Sequence, residues 1–188
     1  MGKLEMRDVA DDYFADFRAT NVGVMPEVKT NLQDEKLLIE LLLKEGRAFP
    51  PFLRSRDLDY DISIGRRDIP TDFMLDIGAG KGVLNLEQLR VNEMAVNVGA
   101  GQFEAHISES SVPVENLKID VGVGSVKVYI PQNVAVRAKH DVGLGTFKVG
   151  EAKVDGDGDF ETDNISEAEK ILELDVNVGV GSVEIIRE

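Results

Sequence analysis

The C-terminal part of the chain repeats one pattern of apolar and polar positions. Five segments share a short core built on Gly-x-Gly. They are Leu75-Asp76-Ile77-Gly78-Ala79-Gly80, Val96-Asn97-Val98-Gly99-Ala100-Gly101, Ile119-Asp120-Val121-Gly122-Val123-Gly124, His140-Asp141-Val142-Gly143-Leu144-Gly145 and Val176-Asn177-Val178-Gly179-Val180-Gly181. Aligned on the first glycine, the position before it holds Ile77, Val98, Val121, Val142 and Val178. Three before it stand Leu75, Val96, Ile119, His140 and Val176, and five before it Phe73, Met94, Leu117, Ala138 and Leu174. An apolar period of two marks a strand with one buried face. Position minus two, with Asp76, Asn97, Asp120, Asp141 and Asn177, is predicted to face solvent.

Beyond the glycine the apolar positions are plus one, plus four and plus six. Plus one is Ala79, Ala100, Val123, Leu144 and Val180; plus four is Gly82, Phe103, Val126, Phe147 and Val183; plus six is Leu84, Ala105, Val128, Val149 and Ile185. The alternation slips by one residue between plus one and plus four. A bend or bulge at Gly-x-Gly, returning the same face inward, accounts for the slip. Successive first glycines lie 21, 23, 21 and 36 residues apart, so the last interval holds an insertion around Gly156-Asp157-Gly158. Each unit therefore reads as strand, bend, strand, turn, with turn signals such as Pro131-Gln132-Asn133 between units. One unit cannot bury its own apolar face, whereas stacked units make a continuous core. The predicted fold is all-β: a β-helix-like solenoid of about five units of 21–23 residues, with a β-sandwich as the competing geometry.

Residues 1–70 follow the pattern loosely and read as an N-terminal β cap on the stack. The whole of 1–188 is expected to be one all-β domain, with repeats over 71–188 and an acidic insertion near 151–170. Leu58 to Gly65 reads as a strand closed by a glycine turn, and Gly65 as the start of a degenerate unit. The run Glu35 to Glu45 has helical propensity but strand surroundings, and is assigned to strand. Pro50-Pro51 places a turn over 46–51.

Composition narrows the function classes. With 21 basic and 35 acidic residues the net charge is −14. That disfavours nucleic acid, which needs a basic surface, and docking on anionic lipid. The absence of cysteine excludes thiol catalysis, Cys-based zinc sites and a disulfide framework. No apolar run approaches the roughly 20 residues of a membrane span, so this segment is not expected to insert directly. The residues after Met1 lack the apolar core of a signal peptide.

Three motifs look like chemistry. Gly78-Ala79-Gly80-Lys81-Gly82 after a strand resembles the S-adenosylmethionine loop of Rossmann-like methyltransferases. That use requires a helix after the glycines. Val83-Leu84-Asn85-Leu86 instead alternates like a strand, and the glycine pattern occurs five times where a cofactor needs one. Asp155, Asp157 and Asp159 alternate as in a calcium loop, but Phe160 and Ser166 occupy positions where an EF-hand needs Gly and Glu. A solvated acidic turn is the simpler reading. His140 stands in an inward column of aliphatic residues, so it is expected to be a hydrogen-bonded core residue, while His106 falls at an outward offset of another unit. No catalytic, cofactor-binding or metal-binding residue is assigned, and no cofactor is expected. A carbohydrate-binding β-helix remains a second alternative, although aromatic content is 6% with no Trp.

Leu75 to Gly80, the run Val121-Gly122-Val123-Gly124-Ser125-Val126-Lys127-Val128-Tyr129-Ile130-Pro131, and the ending Val176 to Val183 together resemble the toast-rack family. That family is similar to the C-terminal domain of LiaF-like proteins of the cell-wall-active-antibiotic response, and is related to a group of adhesin-like proteins. The resemblance implies a right-handed β-helix-like domain of bacterial or archaeal envelope-associated proteins, with no enzymatic activity. LiaF-like members restrain a sensor kinase and report envelope stress. A non-enzymatic structural or binding module is therefore expected. Its partner would be a sensor kinase or a second copy of itself, and its location the envelope, with any anchor outside this chain; a cytoplasmic location is the alternative.

Two further expectations concern the surface. The strand Val183 to Glu188 closes the chain with nothing after it, so it is expected to form an open end of the stack and to favour a homo-oligomer. Residues 151–175 carry ten acids against Lys153 and Lys170, which is −8 of the −14. That segment is expected to be an acidic flap on one side of the stack.

Overall fold

The computed structural model describes residues 70–188, apart from 114 and 155, and the backbone of five strands within 1–69. Strands β6 (Thr71–Leu86), β7 (Val91–Ile107), β8 (Asn116–Ile130), β9 (Ala135–Val149) and β12 (Ile171–Arg187) carry the five repeats. Each runs straight through its Gly-x-Gly and bends there into two limbs. Neighbouring repeats pair in parallel with like residue beside like: Ile77 with Val98, Val98 with Val121, Val121 with Val178, and Val178 with Val142. This is the β-helix-like stack read from the sequence.

The core lies between the two limbs. The columns at minus five, minus three, minus one, plus four and plus six are buried in all five strands. The imidazole of His140 on the first limb of β9 lies 5.5 Å from the ring of Phe147 on the second. Column plus four shows why its first member is glycine. A β-carbon on Gly82 would stand 2.7 Å from Ile77 Cδ1 and 2.9 Å from Phe103 Cδ2, so those two larger residues already fill its place.

The strand order differs from the chain order. The main sheet runs β10-β9-β12-β8-β7-β6-β1-β5-β2, so β12 inserts between β8 and β9. The C-terminal strand is therefore paired along both edges and does not form the open end expected from the sequence. The physical reason lies in the outward rows. Asp175 of β12 sits opposite Lys118 on one side and Lys139 on the other, and Glu184 sits opposite Lys127 and Lys148. Asn177 falls between Asp120 and Asp141. With β9 directly against β8 in the same glycine register, these rows would place Lys118 beside Lys139, Lys127 beside Lys148, and Asp120 beside Asp141. Like charges directly opposite destabilise a ladder. Inserting β12 removes all three such pairs.

The insertion caps the stack. Strand β10 (Ala152–Val154) pairs antiparallel with the second limb of β9, and β11 (Gly158–Glu161) with the first. Two short strands so cover an edge that would otherwise template association. The charges of β11 match the strand it covers. Asp159 sits opposite Lys139, and Glu161 opposite Arg137. Arg137 Nε bonds Glu161 at 2.6 Å and its Nη1 bonds Glu173 of β12 at 2.6 Å. The Glu161 hydrogen bond first, and the charge of Glu173 second, hold this guanidinium above its ordinary pKa. The acidic segment is thus not one flap: Glu173 and Asp175 belong to β12, inside the stack.

Thr162 ends the cap. Its N–H donates to the Val136 carbonyl at 3.0 Å, and its Oγ1 accepts from the Val136 N–H at 2.9 Å, in a buried position. Thr162→Val leaves that buried N–H without a partner. The expected loss is about 1 kcal/mol in urea unfolding; an unchanged midpoint would mean that water replaces the hydroxyl.

On the other side, β1 (Lys3–Asp8) pairs parallel with the second limb of β6, and β5 (Asp59–Ile64) and β2 (Ala15–Thr20) follow. Strands β3 (Glu27–Gln33) and β4 (Lys36–Leu42) form a separate antiparallel hairpin. Within the run assigned to strand, Lys36–Leu42 is strand, against its helical propensity. Strand β1 separates β5 from β6, so β5 does not stack on β6 as the preceding repeat. The turn expected over 46–51, and Gly65 itself, lie outside the described residues.

Candidate functional site

The bends line up along one edge of the stack and form its most distinctive surface. Column plus one, expected to face the core, points outward instead. Val123 is 57%, Val180 46% and Leu144 78% exposed, and Ala79 and Ala100 are exposed as well. A bend needs two successive residues on its convex side, and here they are the first glycine and the residue after it. The second glycine brings neighbouring backbones together, with Gly101, Gly124 and Gly181 close against the carbonyl oxygens of Gly80, Gly101 and Gly124. In spatial order the ridge reads Ala79, Ala100, Val123, Val180, Leu144.

Beside the ridge runs a groove of about 520 Å³. Its floor is the glycine column, including Gly99, Gly122, Gly179 and Gly143, and its polar wall is the minus-two row. In space that row alternates: Asp76, Asn97, Asp120, Asn177, Asp141. Asn97 donates to Asp76 at 2.5 Å, and Asn177 donates to Asp120 at 2.7 Å. Each amide holds a carboxylate by a charge-assisted bond and keeps the acids apart. The row is polar as expected, but ordered along the stack rather than freely solvated.

The sequence candidates are not brought together here. Gly78, Gly80 and Gly82 lie within β6, which continues as strand to Leu86. The helix that a methyltransferase loop requires is absent from that place, so the structure overturns that alternative. Asp157 and Asp159 are exposed around β11, while Asp155 lies outside the described residues. No group of three or more metal-ligating side chains gathers among the described residues. His106 stacks on Tyr129 at 4.3 Å and bonds Glu104 at 2.9 Å, on the outer face of the second limbs.

His140 is 6% exposed, inward in its column as read from the sequence. Neither ring nitrogen has a hydrogen-bond partner, contrary to the hydrogen-bonded core residue expected, because the column around it is aliphatic and offers no polar group. Its neighbours are Val176 in the next strand, Gly158 in β11 and Phe147 across the core. A buried polar group left unmatched costs about 1–3 kcal/mol. His140→Leu, which restores the aliphatic column, is expected to raise stability by about 1 kcal/mol. A lower urea midpoint would show that the imidazole has an unseen partner, such as a buried water.

The glycine bends and the stacked register match a known architecture in both halves of the chain. Residues 1–129 match the family model for the N-terminal domain of toast_rack. Residues 80–185 match the C-terminal domain of LiaF, of the cell wall-active antibiotics response. The chain belongs to the toast-rack family. No curated protein matches it. Among solved structures it is similar to a candidate cell adhesion protein from Clostridium sporogenes, at 23% identity and a TM-score of 0.78. That likeness covers 100% of this chain and 88% of the other, and shows a shared fold. No helix among the described residues is long and apolar enough to cross a membrane.

Proposed function

We propose that this toast-rack chain is a non-enzymatic binding module of an envelope-associated protein, and that it engages a protein partner through the edge formed by its bends. The observation that carries the reading is the aliphatic ridge of Val123, Val180 and Leu144, exposed on a rigid five-strand stack. Apolar side chains in a contiguous line on a soluble face mark interaction sites. The LiaF-like match supports envelope association, and a sensor-kinase domain is the partner that the family suggests, with a second copy of the chain as the other candidate. Two outward rows, Lys118-Asp175-Lys139 and Lys127-Glu184-Lys148, alternate in charge along the stack.

In-cell photo-crosslinking tests the reading. A photoreactive residue at position 144 is expected to capture a protein in the envelope fraction, and one at the solvent-facing position 157 is not. Equal capture from both positions, or recovery of the chain away from the envelope with no adduct from 144, would overturn it.

A further inference from the structure

The bend edge is complementary to itself. Ridge and groove run side by side along the same rows. A two-fold axis parallel to the stack, laid along this edge, sets the ridge of one copy into the glycine groove of the other, and the reverse. The flanking polar rows then also meet. On the groove side stands the acceptor row Asp76, Asp120 and Asp141. On the far side of the ridge, at plus three, every residue carries a donor: Lys81, Gln102, Ser125, Ser182 and Thr146. The same axis places acceptor row opposite donor row at matching heights, beginning with Asp76 against Lys81 of the second copy.

The alternative two-fold, perpendicular to the stack, brings acceptor row against acceptor row. Asp76 would then face Asp141 of the other copy, and Asp120 would face itself. Like charges brought together in an interface oppose association. The strand order sets the sequence of the ridge, because insertion of β12 places Val180 between Val123 and Leu144.

We infer that the bend edge is a homodimer surface, with two copies packed ridge into groove, parallel and in row register. This deepens the binding-module reading by naming a second copy as the occupant. The five rows span four inter-strand spacings, about 19 Å. Such a strip covers less than the roughly 800 Å² per partner of a stable complex. The dimer is therefore weak, and forms at high local concentration, such as on a crowded envelope.

The chain has no cysteine, so single substitutions give clean cross-linking sites. Ala79 and Leu144 lie at opposite ends of the ridge. Full-length Ala79→Cys and Leu144→Cys variants, each treated alone at millimolar protein with a short bis-maleimide, are expected to form dimers of twice the 20.6 kDa monomer mass. Leu144→Asp in the Ala79→Cys background is expected to reduce the yield to background, with the melting temperature unchanged because position 144 is exposed. Sedimentation of the unmodified chain should show its average mass rising with concentration. Dimers that form only when the two cysteine variants are mixed would reveal an antiparallel arrangement and overturn the proposal. A monomer at every concentration, without cross-links, would also overturn it. Capture of an envelope protein from position 144 in cells, with a monomer in solution, would sink the homodimer and leave the binding-module reading standing.

Discussion

Gly181→Ala is expected to destabilise the protein by at least about 4 kcal/mol, the range reserved for substitutions that break a structural requirement outright. Strand β12 lies between two others. The backbone at Gly181 has φ 144°, a region that side-chain-bearing residues rarely adopt. A β-carbon there would collide with the carbonyl oxygen of Gly124 in β8, well inside 3.0 Å. That oxygen belongs to the backbone of a strand paired on both sides, so neither partner can step aside without giving up ladder hydrogen bonds. The same obstruction recurs at Gly101 against Gly80 and at Gly124 against Gly101. Gly78 supplies the control. Its added β-carbon would meet nothing within 4 Å. Gly78→Ala should therefore stay within about 0.5 kcal/mol of the parent. Urea unfolding of both variants checks the contrast, and failure of the Gly181 variant to accumulate as folded protein is the same result at its limit. Equal midpoints for the two would mean that the stack spreads freely at its bends.

These glycines also explain what the sequence could reveal. Within each limb the alternation is strict, so Phe73, Leu75 and Ile77, and then Leu84, are legible as core. The reading fails at Ala79, Val123 and Leu144, because an alternation carries no information about which side of a bend is convex. Hydrophobicity alone suggested burial there. Strand order was misread for a different reason. Repeats that follow one another in the chain are assumed to stack in that order, and the long interval before Gly179 looked like a simple insertion. The signal for the true order was present in the outward rows. Read down the column of Lys118, Lys139 and Asp175, or of Lys127, Lys148 and Glu184, the charges alternate only if the last repeat lies between the two before it. The ridge was missed because its column was assigned to the core, not because of the strand order.

The charge rows make the second large prediction. Asp175→Lys combined with Glu184→Lys turns both rows into runs of three lysines: 118, 175 and 139 in one, 127, 184 and 148 in the other. Four cross-strand neighbours change from opposite to like charge. Exposed pairs are worth only a few tenths of a kcal/mol to about 1 kcal/mol each, so the summed loss is about 2 kcal/mol. Because these groups are half-exposed or exposed, added salt should screen the repulsion and recover much of the loss. A loss from damaged packing would not respond in that way. The decisive variant adds Lys127→Glu and Lys148→Glu, which restores alternation across positions 127, 184 and 148 with those three signs reversed. It should recover part of the stability, while Lys127→Glu and Lys148→Glu alone, which set three acids and Glu104 side by side, should lower it. If the last repeat instead stacked outside β9, position 184 would touch only position 148. Lys127→Glu would then set an acid between Glu104 and the acid introduced at position 148, and the double rescue would unfold at a clearly lower midpoint than Lys148→Glu alone. In the observed order, the acid at position 127 loses at Glu104 what it gains at the lysine introduced at position 184, and the two midpoints should agree.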